Sequence, residues 1–214
     1  MLNKKGNKMK KIILLIGLFV SIISVLSLVE AEASCESPYQ SDTVSIMYGN
    51  CNVIVHYCYY CSAAGVGFDI QIDSYDIPNN CIDSVLQNID DFKEAVRLKI
   101  LKDIMTVPGC IKPCTDEGWH LHTSTVIEMQ CIKLVNDVPN AMFHLVTCEG
   151  SAYCHLMYKV CVNFDENNEP ILNYTPDGSF VSPGDCAFLE IPPILENPPD
   201  GWESECFVWG TCGF

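Results

Sequence analysis

Basic residues are scarce in this chain, and the few present are unevenly placed. There are 12 Lys and Arg against 27 Asp and Glu. Five lysines (Lys4, Lys5, Lys8, Lys10, Lys11) fall in the first eleven residues, and four of the other seven basic groups (Lys93, Arg97, Lys99, Lys102) crowd one segment. Without the leader that holds the five lysines, Glu30 and Glu32, the remainder carries 25 acidic and 7 basic residues, a net charge near −18. Binding a run of phosphates requires lysines and arginines that displace its counterions. Nucleic acid and anionic membranes are therefore disfavoured as partners, and cations or basic surfaces are favoured. Catalytic signatures are missing too. The sequence has no Gly-x-Ser-x-Gly elbow, no His-Glu-x-x-His helix motif and no Asp-x-Asp-x-Asp-Gly calcium loop. Its five histidines (His56, His120, His122, His144, His155) accompany no nucleophile motif.

What is present begins with an export signal. After the lysines, Ile12 to Val29 is uncharged and nearly all apolar or Ser, and Ala31-Glu32-Ala33 supplies the small-x-small pattern that signal peptidase reads. Cleavage is expected after Ala33, making residues 1–33 a signal peptide and 34–214 a single secreted cysteine-rich domain, with a sub-division near 115 as the alternative. An eighteen-residue apolar run is just long enough to remain as an uncleaved anchor. A lipid anchor on Cys35 would want an aliphatic residue where Glu32 stands, and a prepilin processed after Gly17 would want an acid where Ile22 stands. Each of these readings exports the body of the chain.

Fourteen cysteines, none of them in the leader, agree with export: Cys35, Cys51, Cys58, Cys61, Cys81, Cys110, Cys114, Cys131, Cys148, Cys154, Cys161, Cys186, Cys206 and Cys212. In an oxidising compartment so dense and even a set reads as a disulfide framework of up to seven bridges. At this length a chain buries on the order of 70 % of its unfolded surface without staples, so seven bridges point to proteases, heat or mechanical load. Two pairings suggest themselves from short loops, Cys148 with Cys154 and Cys206 with Cys212; the other partners are open. Cys58-Tyr-Tyr-Cys61 resembles a redox pair in spacing only. It lies in an alternating strand, where residues three apart face opposite ways, and no helix follows to lower a thiol pKa. It reads as halves of two separate bridges.

The pattern predicts an α+β fold: mainly antiparallel sheet, as a hairpin plus a meander, with one long amphipathic helix and a Pro/Gly-rich C-terminal wrap pinned by Cys186, Cys206 and Cys212. The hairpin is Asn52–Cys61 and Phe68–Asp73, alternating apolar and polar around "SAAGVG". From Ile82 to Ile104 apolar residues recur at three and four behind an Asn79 or Asn80 cap, so the basic cluster there reads as a solvated face with Glu94–Arg97 and Lys99–Asp103 pairs. Strand-like runs follow at Thr123–Val135, Ala141–Cys148, Tyr153–Phe164 and Pro170–Tyr174. Beyond Thr175, proline and glycine leave room only for short pieces such as Cys186–Ile191.

Three functional classes remain. The first is a secreted or cell-surface protein with a structural, adhesive or binding role and no enzymatic activity, cofactor or resident metal, whose partner is an extracellular protein or surface. The second is a secreted hydrolase using its many carboxylates or its histidines. The third is a thiol oxidoreductase or metal-binding protein, with His120 and His122 beside Cys110 and Cys114 as the metal candidates. His144 and His155 read as ordinary strand residues that meet only diagonally across a "CEGSAY" hairpin. Asn173-Tyr174-Thr175 is a formal glycosylation sequon.

Overall fold

A computed structural model describes residues 35–62, 67–115, 123–186, 190–195 and 197–214. The leader, His120, His122 and residues 187–189 of the Cys186–Ile191 piece lie outside the described residues. About 48 % of the described residues are strand and 15 % helical. The strands are β1 Gln40–Tyr48, β2 Cys51–Cys61, β3 Phe68–Pro78, β4 Thr123–Met129, β5 Cys131–Asp137, β6 Met142–Thr147, β7 Tyr153–Phe164, β8 Pro170–Val181 and β9 Phe207–Val208. A 3-10 turn, Asn79–Cys81, leads into two helices, α1 Ile82–Gln87 and α2 Ile89–Ile104.

All nine strands join one sheet, and β3 is its branch point. Along one edge β3 pairs antiparallel with β2, which in turn pairs with β1. Its other edge is shared. Asp69–Gln71 run parallel to Thr125–Ile127 of β4, whereas Ser74–Pro78 run antiparallel to Met142–Val146 of β6. One branch continues β4, β7, β8 and the other β6, β5, β9. An extra residue, Asp73, is bulged between the pairs Tyr57↔Ile72 and His56↔Ser74, and bulges bend and twist a strand locally. A β3 bent in this way can serve both branches.

Period-two alternation divides the sheet cleanly. Val53, Val55 and Tyr57 of β2, Ile70, Ile72, Tyr75 and Ile77 of β3, Leu134 and Leu145 are fully buried on the inner face. There α2 lies over them with Phe92, Val96, Ile100, Leu101 and Ile104. Phe92 meets Tyr48, Tyr75 and Trp209 edge-on or tilted at 5.3–6.2 Å between ring centres. Tyr57 donates to Asp103 of α2 at 2.6 Å, and its phenol pKa is raised by burial and by that carboxylate. Cys35–Phe214 packs as one unit.

The bridges follow the strand arithmetic. Cys51 and Cys61 stand at opposite ends of β2 on its inner face, ten residues or about 33 Å apart. The helical stretch 82–104 is also about 33 Å long at 1.5 Å per residue. Cys51 bonds Cys81 just before α1, and Cys61 bonds Cys110 just beyond α2, so the helical layer is fastened to β2 at both ends. Cys58, on the other face, bonds Cys35. The remaining four bridges are Cys114–Cys161, Cys131–Cys186, Cys148–Cys206 and Cys154–Cys212, and no cysteine is free.

Several expectations need correcting. The molecule is mostly sheet, and the single long amphipathic helix of an α+β layout is absent. Asn88, at φ −134° and ψ 45°, breaks the run into α1 and α2, and its side-chain amide donates to the Ser84 carbonyl. Such local competition for backbone groups makes Asn a poor helix interior residue. The meander is replaced by a branched sheet with a parallel β3–β4 contact, because Thr123–Val135 is two strands that part at Gln130 into different branches. β8 runs on to Val181 past Pro176 and Gly178, which an edge strand tolerates because one row of its N–H groups needs no partner. Cys148 bonds Cys206 instead of Cys154, and Cys212 bonds Cys154 instead of Cys206. The first pairing assumed a hairpin of β6 and β7, which are not neighbours, and the second assumed that a short loop closes on itself, whereas Cys206 and Cys212 each bond a different strand end.

Candidate functional site

Two polar clusters stand out, one inside the molecule and one on the solvent side of the sheet. The inner one explains the basic segment. Lys93 and Arg97 point into the core with at most 4 % exposure, and Glu128 of β4 meets them with none. Lys93 Nζ lies 3.1 Å from Glu128 Oε2 and also donates to the carbonyls of Trp209 and Thr211 at 3.0 and 3.1 Å. Arg97 NH1 donates to Glu128 at 3.2 Å. The expected surface pairs Glu94–Arg97 and Lys99–Asp103 are replaced: Arg97 turns inward to Glu128, and Asp103 accepts from Tyr57. Charges buried this deeply cost several kcal/mol each unless paired. The triad thus acts as a clasp holding the C-terminal segment, including the fully buried Phe207 and Trp209, against α2.

The outer cluster crosses four neighbouring strands. His56 of β2 and His144 of β6 flank Asp76 of β3, at 2.8 Å (Nε2 to Oδ2) and 2.6 Å (Nδ1 to Oδ1). His144 Nε2 reaches Asp137 Oδ2 of β5 at 3.3 Å, and the Asn140 amide donates to the same oxygen at 2.6 Å. The register that pairs Ile54 with Asp76, Asp76 with His144 and His144 with Val135 builds this row from outward-facing positions. Both ring nitrogens of His144 face carboxylate oxygens, an arrangement only the imidazolium satisfies in full.

The electrostatics follow from that geometry. The hydrogen bond to Asp76 raises the His56 and His144 pKa values above the usual imidazole range, against partial burial, which lowers them. Burial alone would raise the Asp76 carboxyl, but hydrogen bonds from His144 and His56 outweigh it and hold that carboxyl well below the usual range. Asp137 is lowered chiefly by Asn140. Two imidazolium charges and two carboxylates compensate one another.

Such a row is poor in reactive capacity. A general base needs a ring nitrogen open to substrate, and both nitrogens of His144 are engaged. Among the described residues no group of three or more His, Cys, Asp or Glu is disposed to hold a metal ion. His155 stands apart from the row, stacked on Phe180 of β8 with ring centres 4.4 Å apart. The diagonal His144–His155 neighbourhood is therefore not formed, since His144 sits on one branch of the sheet and His155 on the other. Sequence reading missed the His56–Asp76–His144 row because it depends on a β3–β6 pairing between strands about 70 residues apart. The one available signal was that His56 and Asp76 both occupy polar positions of the hairpin.

The cysteines singled out from the sequence are all engaged. Cys58 and Cys61, adjacent in the chain, belong to different bridges, so the Cys-Tyr-Tyr-Cys stretch is not a redox pair. No described helix is long and apolar enough to cross a membrane. Comparison with protein-family models, with curated proteins and with solved structures gives no match to this chain.

Proposed function

We propose that this is an exported, acidic protein with a structural, adhesive or binding role at or outside the cell surface, and that it works through the outer face of its sheet. The observation that carries the reading is the use of all fourteen cysteines in seven bridges, which fasten the helical layer to β2 at both ends and tie the segments at Cys35 and at Cys206 and Cys212 to the sheet, so that its outer face is held on a cross-linked scaffold. That face is acidic. Asp69 and Asp73 lie on it, Asp76 and Asp137 are balanced by His56 and His144, and Lys133 and Lys159 are neutralised by Glu203 and Asp177 at 2.5 and 2.6 Å. A basic extracellular protein or surface is the complementary partner, and electrostatic steering by a molecule of this charge would speed its capture.

The test is to incubate the purified oxidised protein with cell-surface and matrix preparations, alongside an Asp69→Lys, Asp73→Lys variant. Association that the variant weakens supports the reading, and absence of both association and self-association refutes it. A secreted hydrolase is the second reading, and its base would have to come from the His144–Asp76 contact, where both nitrogens of His144 are engaged. An activity found on any substrate and abolished by His144→Gln would favour it over the binding role.

A further inference from the structure

On the opposite side of the sheet from the histidine row, α2 does not reach across to β8, and a small pocket opens between them. Tyr158 of β7 forms its floor and is 3 % exposed. Tyr174 of β8 and Phe214 rise from that floor, with ring centres 6.4 and 5.1 Å from Tyr158 and inclined to it at 62° and 87°. Leu98 and Pro176 complete the apolar wall, and Glu94 of α2 brings a carboxylate to the rim. The enclosed space is about 50 Å³ and open to solvent. That is far below the roughly 300–1,000 Å³ of pockets that take drug-sized ligands, so it suits a small headgroup seated at the opening and not a whole molecule.

We propose that this pocket binds an organic ammonium group, such as a quaternary ammonium or an alkylated amine side chain. Ring faces carry negative quadrupole density, and a cation within about 6 Å of several of them is attracted to each. Burial pushes the Tyr158 phenol up to about 12, so its ring stays neutral at physiological pH. Glu94 forms no ion pair among the described residues, which leaves its charge for a ligand. Arg97 also borders the pocket as a buried like charge, 4 % exposed and hydrogen-bonded to a Glu128 that it shares with Lys93, whereas Glu94 is exposed and is the charge that meets solvent at the opening. Tyr174 and Phe214 are 38 % and 53 % exposed. Rings left in water at that level, converging on a third and next to an unpaired acid, match a soft, weakly hydrated cation better than a neutral or anionic ligand. The net charge near −18 concentrates such cations around the molecule. This inference does not depend on the outer face binding a partner.

The experiment is a calorimetric titration of the full oxidised protein with tetramethylammonium and with choline. The control is 3,3-dimethylbutan-1-ol, the neutral isostere of choline. Saturable binding of the two cations, at least tenfold tighter than that of the isostere and weakened at least threefold by either Glu94→Gln or Tyr174→Ala, is expected. Both substitutions lie at exposed positions, and a wild-type unfolding midpoint for each would show the fold intact. Equal binding of the isostere, indifference to both variants, or no saturable cation binding would overturn the proposal.

Discussion

Asp76 sits between two histidines, and replacing it with asparagine tests whether the row holds four strands together. Each imidazolium–carboxylate hydrogen bond is charge-assisted, worth about 1.5–3 kcal/mol when sheltered. Side-chain exposures of 19 % at Asp76, 23 % at His56 and 35 % at His144 call for discounting toward the lower end. Two such bonds put the cost of Asp76→Asn at about 2–3 kcal/mol near pH 6. The sign with pH follows from the shifts. Histidines with raised folded pKa values stabilise fully below the unfolded value of about 6.5, and that contribution is lost as pH rises through the folded values. Asp76 and Asp137, depressed in the fold, stabilise above about pH 4 and lose this as pH falls. The row therefore contributes most between about pH 4 and 6.5 and progressively less toward pH 8. Urea unfolding of the oxidised wild type and Asp76→Asn, followed by the fluorescence of buried Trp209, gives the difference at each pH and cancels carboxylates common to both. A gap that is widest near pH 6 and narrows by about half at pH 8.5 is expected. A gap independent of pH, or one that grows with pH, would refute the reasoning.

Three further perturbations probe other parts of the molecule. Glu128→Gln strands two buried cations and should cost about 3–5 kcal/mol in the same urea assay, with most of it recovered when Lys93, Arg97 and Glu128 are all replaced by methionine. Opening Cys51–Cys81 by a double serine substitution releases a closed loop of 30 residues. Chain entropy puts that at about 3–4 kcal/mol, and amide hydrogen exchange should quicken first in α1. Tyr57→Phe removes the donor to Asp103 and should cost about 1–2 kcal/mol, read as a lower thermal midpoint.

How much of this was legible beforehand depended on the range of the interactions. The β2–β3 hairpin could be read because alternation in "VIVHYCYYC" is a local signal, and its inner positions Val53, Val55 and Tyr57 are indeed fully buried. β7 matches its expected Tyr153–Phe164 bounds for the same reason. The strand β1 was missed: Gln40–Tyr48 is polar over its first half and gains its place by pairing with β2 along its whole length. The parting of β4 from β5 at Gln130 carries no local mark, because the branch is created by distant pairing with β3. Arg97 and Lys93 looked solvated because spacing on a helix cannot reveal a Glu128 facing them from another element. The histidine row failed to register for an equivalent reason, its members being brought together only by register across β2, β3, β6 and β5.

The account rests most heavily on sulfur being wholly committed to cross-links, and that is directly measurable. The purified protein, denatured without reductant in the presence of an alkylating agent and then mapped by non-reducing peptide mass spectrometry, should show no alkylated cysteine. It should also yield the seven linked pairs, Cys61–Cys110 and Cys148–Cys206 among them. Several alkylated thiols, or a Cys58–Cys61 or Cys148–Cys154 linkage, would contradict the fold and the reading of function built on it.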